Sequence, residues 1–135
     1  MKRASILVLK DNKILLINRF KDWKQYYVLP GWWVEENESI IEAAIREAKE
    51  ETNLNIVIDR ELFNYLDNSD NRTHHVFLVT EFEWELKLSG PELIRNSQTN
   101  RYILEWHNIE NLEKLEIYPK KVKDKLSDFF RLNQE

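Results

Sequence analysis

The chain has 135 residues and a formal net charge of −4, and this length suits a single domain spanning residues 1–135. It contains no cysteine, which excludes disulfides and sites built on thiolates. The acidic balance disfavours a broad nucleic-acid-binding surface. No apolar run is long enough to cross a membrane or to form the core of a signal peptide, so a soluble cytoplasmic protein is expected.

The first part of the chain is predicted to form strands. Residues 4–9 and 13–20 are almost continuously apolar, as in a sheet that is covered on both faces, and residues 10–12 form the turn between them. A charged loop at 21–25 carries Trp23, and residues 26–29 form a short strand. Trp23 either stacks on a substrate base or packs against the protein, and both interpretations stay open.

Residues 31–38 are predicted to form a loop and residues 39–51 a helix. Ser39 is a good N-cap, and Glu42 three residues later completes a capping box. Asn53 favours the end of the helix because asparagine tolerates the left-handed conformation.

Three acidic residues of this helix are spaced to share one face. Glu47, Glu50 and Glu51 stand at i, i+3 and i+4, and like charges at this spacing repel one another by roughly 0.2–0.5 kcal/mol per pair. A divalent cation would remove the repulsion, and oxygen ligands suit Mg²⁺ or Mn²⁺. The alternative is a solvated acidic face.

The second half of the chain predicts three further regions of strand and a C-terminal helix. Residues 55–66 form one long strand or two short ones, and strands follow at 74–84 and 101–106. In the strand at 74–84, Val76, Leu78 and Phe82 are expected on one face. After Pro119, a helical stripe is expected to pack into the core; it consists of Val122, Leu126, Phe129 and Phe130.

The stretch from Gly31 to Leu54 resembles the signature of the Nudix hydrolases, Gly-x5-Glu-x7-Arg-Glu-U-x-Glu-Glu-x-Gly-U, in which U is a bulky aliphatic residue. The charged positions that match are Glu38, Arg46, Glu47, Glu50 and Glu51. Trp32 and Asn53 replace the two glycines of the signature, and Ala48 is small for its aliphatic position. Pro30 and Gly31 precede the motif as in many family members.

The resemblance implies an α/β fold, a mixed β-sheet sandwiched between helices. It also implies Mg²⁺- or Mn²⁺-dependent hydrolysis of the pyrophosphate bond in a nucleoside diphosphate linked to another group. Glu47, Glu50 and Glu51 would hold the metal, and the Trp32 carbonyl would assist. Arg46 is expected to form an ion pair with Glu38 or a neighbouring carboxylate. Gly31, Glu38 and Arg46 are therefore assigned structural roles.

The resemblance also implies candidate catalytic and substrate-binding residues. Glu50, Glu51 and Glu92, the last in a loop opened by residues 88–92, are the candidate general bases. Loops also carry many exposed glutamates, so both interpretations of Glu92 stay open. Arg19 either lies on the surface or binds substrate phosphates.

Two functions other than the hydrolysis of a small nucleotide also use this fold. A Nudix-fold module that binds a nucleotide without cleaving it is the alternative, and Trp32 in a glycine position favours it. An RNA 5′-end pyrophosphohydrolase would need a basic groove, which the net charge disfavours. The nucleotide-type substrate and the oligomeric state, a homodimer included, stay open.

Overall fold

The computed structural model describes residues 2–68, 71–84 and 100–132. Seven strands lie in these ranges: β1 Lys2–Lys10, β2 Lys13–Lys21, β3 Lys24–Val28, β4 Gly31–Val34, β5 Leu54–Asp67, β6 Arg72–Trp84 and β7 Asn100–Asn108. The helices are α1 Ile40–Thr52, a 3₁₀ helix Ile109–Lys114 and α2 Lys120–Leu132. In the described part of the chain, no helix is long and apolar enough to cross a membrane.

The strands form a mixed sheet that opens in the middle. Its order is β3-β2-β1-β6-β5, with β4 also paired to β1 and β7 to β2. β1 and β6 are parallel, whereas the other pairs are antiparallel. After the tight turn at Asp11 and Asn12, β1 and β2 share only two residue pairs. The two strands therefore diverge. β4 pairs with β1 in one half of the sheet, and β3 pairs with β2 in the other.

Helices cover both faces of the sheet, which confirms the predicted α/β architecture. Leu7 and Leu78 pack with Leu126 of α2 on one face. Ile6 and Val79 pack with Ala48 of α1 on the other. The predicted stripe of α2 lies in or against the core, and the Pro119 carbonyl accepts the first hydrogen bonds of that helix.

The predicted loop at 31–38 is wrong in its first half, because Gly31–Val34 forms strand β4. This strand depends on pairing with β1, a contact that is distant in sequence and leaves no local signal. Trp32 lies opposite Ala4 in the ladder and is not among the residues with positive φ. Its ring packs against the core beneath α1. Tryptophan is therefore accommodated in this position without backbone strain.

A β-bulge corrects a second expectation, the face on which Phe82 lies. Residues 54–67 form one long strand, β5, whose pairing with β6 passes from Val57 opposite Glu81 to Ile58 opposite Val79. The extra residue, Thr80, reverses the alternation of side chains along β6. Phe82 therefore packs with the α1 side of the core, while Val76 and Leu78 face α2.

Both predicted ends of α1 are confirmed. The helix begins after Ser39, whose hydroxyl accepts a hydrogen bond from the Glu42 backbone N–H at 3.5 Å. It ends at Asn53, which adopts the left-handed conformation with φ 61°. The Asn53 N–H donates to the Lys49 carbonyl at 3.1 Å and so satisfies one of the last carbonyls of the helix.

Asn53→Ala is expected to lower the free energy of unfolding by about 1 kcal/mol, because alanine is strained in the left-handed region. Asn53→Gly is the matched control, since glycine adopts this conformation without strain, and it should stay close to the wild type. Denaturant unfolding of the three proteins measures the difference. Equal stability of the alanine and glycine variants would contradict the expectation.

Candidate active site

A cavity of about 500 Å³ lies between the two diverging halves of the sheet. β2 and β3 line one side of this cavity, β4 lines the other, and α1 contributes acidic side chains. The lining residues with charged or indole side chains are Arg3, Arg19, Trp32, Trp33, Glu47 and Glu51. Two predicted metal ligands and the predicted phosphate-binding arginine therefore meet in one cavity.

The three predicted carboxylates of α1 differ in their surroundings. Glu51 is buried, with 9% of its surface exposed, and the Glu47 side chain is 21% exposed. Both line the cavity. The Glu50 side chain is 55% exposed and does not line it. The helical spacing predicts the shared face, but it does not predict this difference in depth.

Arg46 connects the carboxylates of the motif. Its Nη2 atom donates to Glu38 Oε2 at 2.7 Å, and its Nη1 atom donates to Glu47 Oε1 at 3.0 Å and to Glu50 Oε2 at 3.3 Å. The expected ion pair with Glu38 is therefore present. It fixes the segment before α1 to the helix, and the same guanidinium partly offsets the repulsion between Glu47 and Glu50.

The ion pair lowers the pKa of Glu38 below the ordinary value, chiefly because Arg46 donates a hydrogen bond to the carboxylate. The Glu35 backbone N–H, at 3.2 Å, adds to the effect. The pKa of Arg46 is raised by the same pair. A carboxylate with a lowered folded-state pKa stabilises the fold above its unfolded pKa. This contribution is lost as the pH falls through the folded-state pKa.

The pairing of β4 with β1 fixes the direction of the Trp32 carbonyl, which is predicted to assist in metal binding. The Ile6 N–H donates to the Pro30 carbonyl at 2.9 Å, and Trp32 lies opposite Ala4 in the same ladder. Because hydrogen-bonded pairs alternate along antiparallel strands, the Trp32 carbonyl points to Ala4 and the Gly31 carbonyl points away from β1. The register therefore disfavours Trp32 as a metal ligand and favours the neighbouring Gly31 carbonyl.

No three acidic or histidine side chains within residues 2–68, 71–84 and 100–132 lie close enough together to hold a metal ion in this arrangement. Glu47 and Glu50 turn towards Arg46, whereas Glu51 lies deeper beside the cavity. The donor chemistry nevertheless fits a hard cation, because these groups offer only oxygen atoms. Arg46 contacts one oxygen of Glu47 and one of Glu50, so each carboxylate keeps its second oxygen for an ion, and binding would require the three carboxylates to come closer together.

The other predicted site residues have three different outcomes. Trp23 lies in the turn between β2 and β3, is 84% exposed and does not line the cavity. Its ring instead meets Phe20 edge to face, with centroids 6.2 Å apart. Arg19 does line the cavity. Glu92 lies outside the described residues.

Sequence reasoning missed Arg3 and assigned no role to Trp33, although both line the cavity. Arg3 precedes the buried part of β1, and Trp33 is its direct partner on β4. Only the pairing of β1 with β4 indicates that these residues lie together. Once Gly31–Val34 is recognised as a strand beside β1, these two side chains fall next to each other.

The chain matches the model of the NUDIX domain over residues 1–127. It is 34% identical over 127 residues to a protein of Methanocaldococcus jannaschii named ADP-ribose pyrophosphatase, covering 93% of this chain and 70% of the relative.

Two solved structures establish the fold. The E. coli ORF135 protein aligns with a TM-score of 0.76 at 20% identity, over 98% of this chain and 90% of that one. A NUDIX hydrolase from Nitrosomonas europaea gives 0.72 at 17% identity, over 96% and 88%. The family match extends over nearly the whole chain, and the acidic helix of the family motif borders the cavity. The chain therefore belongs to the Nudix family and is a Nudix hydrolase.

Proposed function

We propose that this Nudix hydrolase cleaves the pyrophosphate bond of a nucleoside diphosphate linked to a second group, with ADP-ribose as the first substrate to test. The observation that carries the proposal is the cavity that Glu47 and Glu51 of the motif line together with Arg19. The name of the relative from M. jannaschii, ADP-ribose pyrophosphatase, supports the choice of substrate.

The charges of the cavity suit a pyrophosphate only when a cation is present. Two carboxylates alone would repel the phosphates, whereas a divalent ion reverses the local charge. Glu47, Glu50 and Glu51 would hold Mg²⁺, or Mn²⁺ in its place, and the Gly31 carbonyl is the backbone candidate. When bound, the ion would polarise the phosphorus centre and lower the pKa of a coordinated water.

The side chains of the chain itself have separate roles in this proposal. Arg19 donates to phosphate oxygens, for which its planar guanidinium is suited. Glu51 is the preferred general base, because it is buried and borders the cavity. Glu50 and Glu92 are the other candidates for this role. Arg46 keeps Glu38 in place and orients Glu47 and Glu50, which would hold the cation.

The alternative, a module that binds nucleotides without cleaving them, rested on Trp32. Its conformation in β4 is an ordinary one for any residue, so this argument loses its physical basis. A single domain over residues 1–135, a cytoplasmic location and a small nucleotide-type partner stay predictions from the sequence. The Mg²⁺ requirement and the oligomeric state, a homodimer included, call for direct measurement.

A substrate panel tests the proposal. We expect ADP-ribose to be cleaved to AMP and ribose 5-phosphate in the presence of Mg²⁺, faster than nucleoside triphosphates, nucleotide sugars or dinucleotides. Chelation of the metal should lower the rate by at least about 10²-fold, since a catalytic cation contributes several kcal/mol. Binding of these nucleotides without hydrolysis of any of them, with Mg²⁺ and with Mn²⁺, would support the non-catalytic alternative instead.

A further inference from the structure

Trp33 lies against two guanidinium groups. The Arg3 Cζ atom is 5.0 Å from the centroid of the indole, and the Arg72 Cζ atom is 4.4 Å from it. The edge of His74 also meets the ring, with centroids 5.9 Å apart. The arrangement follows from the sheet, in which Arg3 of β1 stands opposite Trp33 of β4 on one side and His74 of β6 on the other.

Arg3 and Trp33 also lie between two cavities. Both line the cavity that contains Glu47 and Glu51. Both line a second cavity of about 270 Å³, which extends on the α2 side of the sheet towards Tyr65 and Tyr118. Arg72, the other cation at the indole, lines neither of these two cavities. Arg3 is thus the guanidinium that the two cavities share.

We propose that Arg3 binds a phosphate oxygen of the substrate where the two cavities meet, and that Trp33 is a positioning residue that holds the Arg3 guanidinium there. The inference rests on the proposed function, because it assumes a substrate whose diphosphate occupies the acidic cavity and whose organic end group extends into the second one. Arg3 and Arg19 then contact the diphosphate from β1 and β2, opposite the carboxylates of α1.

Physical chemistry supports this division of roles. A guanidinium attracted to the face of an indole interacts through its own flat face, so the N–H groups at its edge can still donate to an anion. Fixing the guanidinium beforehand reduces the conformational entropy that phosphate binding would otherwise cost. Arg3 is half-buried and lines both cavities, so a substrate in either cavity can reach its side chain.

Arg3→Gln is expected to raise KM for ADP-ribose by about tenfold and to change kcat by less than about threefold, as expected for the loss of a charge-assisted hydrogen bond made in the ground state and the transition state alike. It should weaken the binding of inorganic pyrophosphate with Mg²⁺, measured by calorimetry, by a similar factor. Arg3→Lys, which keeps the charge but loses the planar fork, should fall between Arg3→Gln and the wild type.

Trp33→Leu should raise KM by a smaller factor, and Trp33→Phe by less again. In the double variant, Arg3→Gln with Trp33→Leu, the tryptophan substitution should add nothing, because Trp33 acts through Arg3. A merely structural role of Trp33 would give additive effects. The matched control is Arg60→Gln, which removes an exposed arginine of β5 that pairs with Asp59 and lines neither cavity.

The inference is overturned if Arg3→Gln equals Arg60→Gln in both KM and pyrophosphate binding. It is also overturned if kcat and the melting temperature fall together with no recovery in Arg3→Lys. A wild-type protein that does not cleave ADP-ribose, yet binds pyrophosphate through Arg3, would reject the proposed substrate and retain this inference. The two failures can therefore be distinguished.

Discussion

Glu51→Gln is expected to slow Mg²⁺-dependent hydrolysis by about 10²- to 10⁴-fold, the range associated with loss of a general acid or base. Glu51 is the most deeply buried carboxylate of the motif and borders the cavity. Glutamine has nearly the same shape, so the core beside α1 should stay packed. It cannot accept the proton of an attacking water, and it offers a cation no negative charge.

Glu50→Gln is also expected to reduce turnover strongly, although Glu50 is exposed and turned towards Arg46. The matched control is Glu42→Gln, which alters an exposed glutamate in the first turn of the same helix. Steady-state kinetics with Mg²⁺, together with thermal unfolding to confirm the fold, compare the three variants. Unchanged turnover in both Glu50→Gln and Glu51→Gln would reject the proposed site.

Calorimetric titration with Mg²⁺ separates the two roles that Glu51 could have. If Glu51 is a metal ligand, Glu51→Gln should weaken Mg²⁺ binding. If Glu51 is only the general base, the substitution should lower kcat and leave Mg²⁺ binding nearly unchanged. The same titration on Glu50→Gln shows whether Glu50 also holds the ion. Thus one pair of variants distinguishes a ligand from a base for Glu50 and Glu51, whose roles the sequence alone could not separate.

The parts of the site that were predictable depend on local interactions. Ser39 and Asn53 mark the ends of α1 because a helix cap involves residues within one turn. The pairing of Arg46 with Glu38 follows from the helix and the short segment before it. The resemblance to the Nudix signature adds the fold, because five charged residues at fixed spacing identify the family.

The parts that were not predictable depend on contacts between distant strands. β4 exists because Gly31–Val34 pairs with β1, and this pairing brings Trp33 beside Arg3. A single extra residue at Thr80 moves Phe82 to the other face of the sheet. The exposure of Trp23 depends on where its turn projects from the sheet. None of these contacts leaves a periodic pattern in the nearby sequence.

The role of Gly31 illustrates the same dependence. Gly31 does not adopt a positive φ, so its backbone conformation is open to other residues. The constraint is instead steric and comes from β1. Gly31 faces Ser5 in the ladder, at a pair without backbone hydrogen bonds, where antiparallel strands approach most closely. A Cβ atom on Gly31 would overlap the Ser5 hydroxyl and lie 3.0 Å from the Ala4 carbonyl oxygen.

Gly31→Ala is therefore expected to lower the free energy of unfolding by about 1–3 kcal/mol, the typical cost of overpacking. It should also raise KM, because β4 carries Trp32 and Trp33 into the cavity. Denaturant unfolding and kinetics measure the two effects.

Adding Ser5→Gly should recover part of the loss, since it removes the hydroxyl and the Ser5 Cβ atom at 3.2 Å but leaves the Ala4 carbonyl in place. Ser5→Gly alone provides the control for the cost of that second substitution. If the two substitutions simply add, the contact with Ser5 is not what requires glycine at position 31, and the constraint then lies with the Ala4 carbonyl. If Gly31→Ala is as stable as the wild type, β4 can move away from β1 freely, and the steric account of glycine at position 31 is wrong.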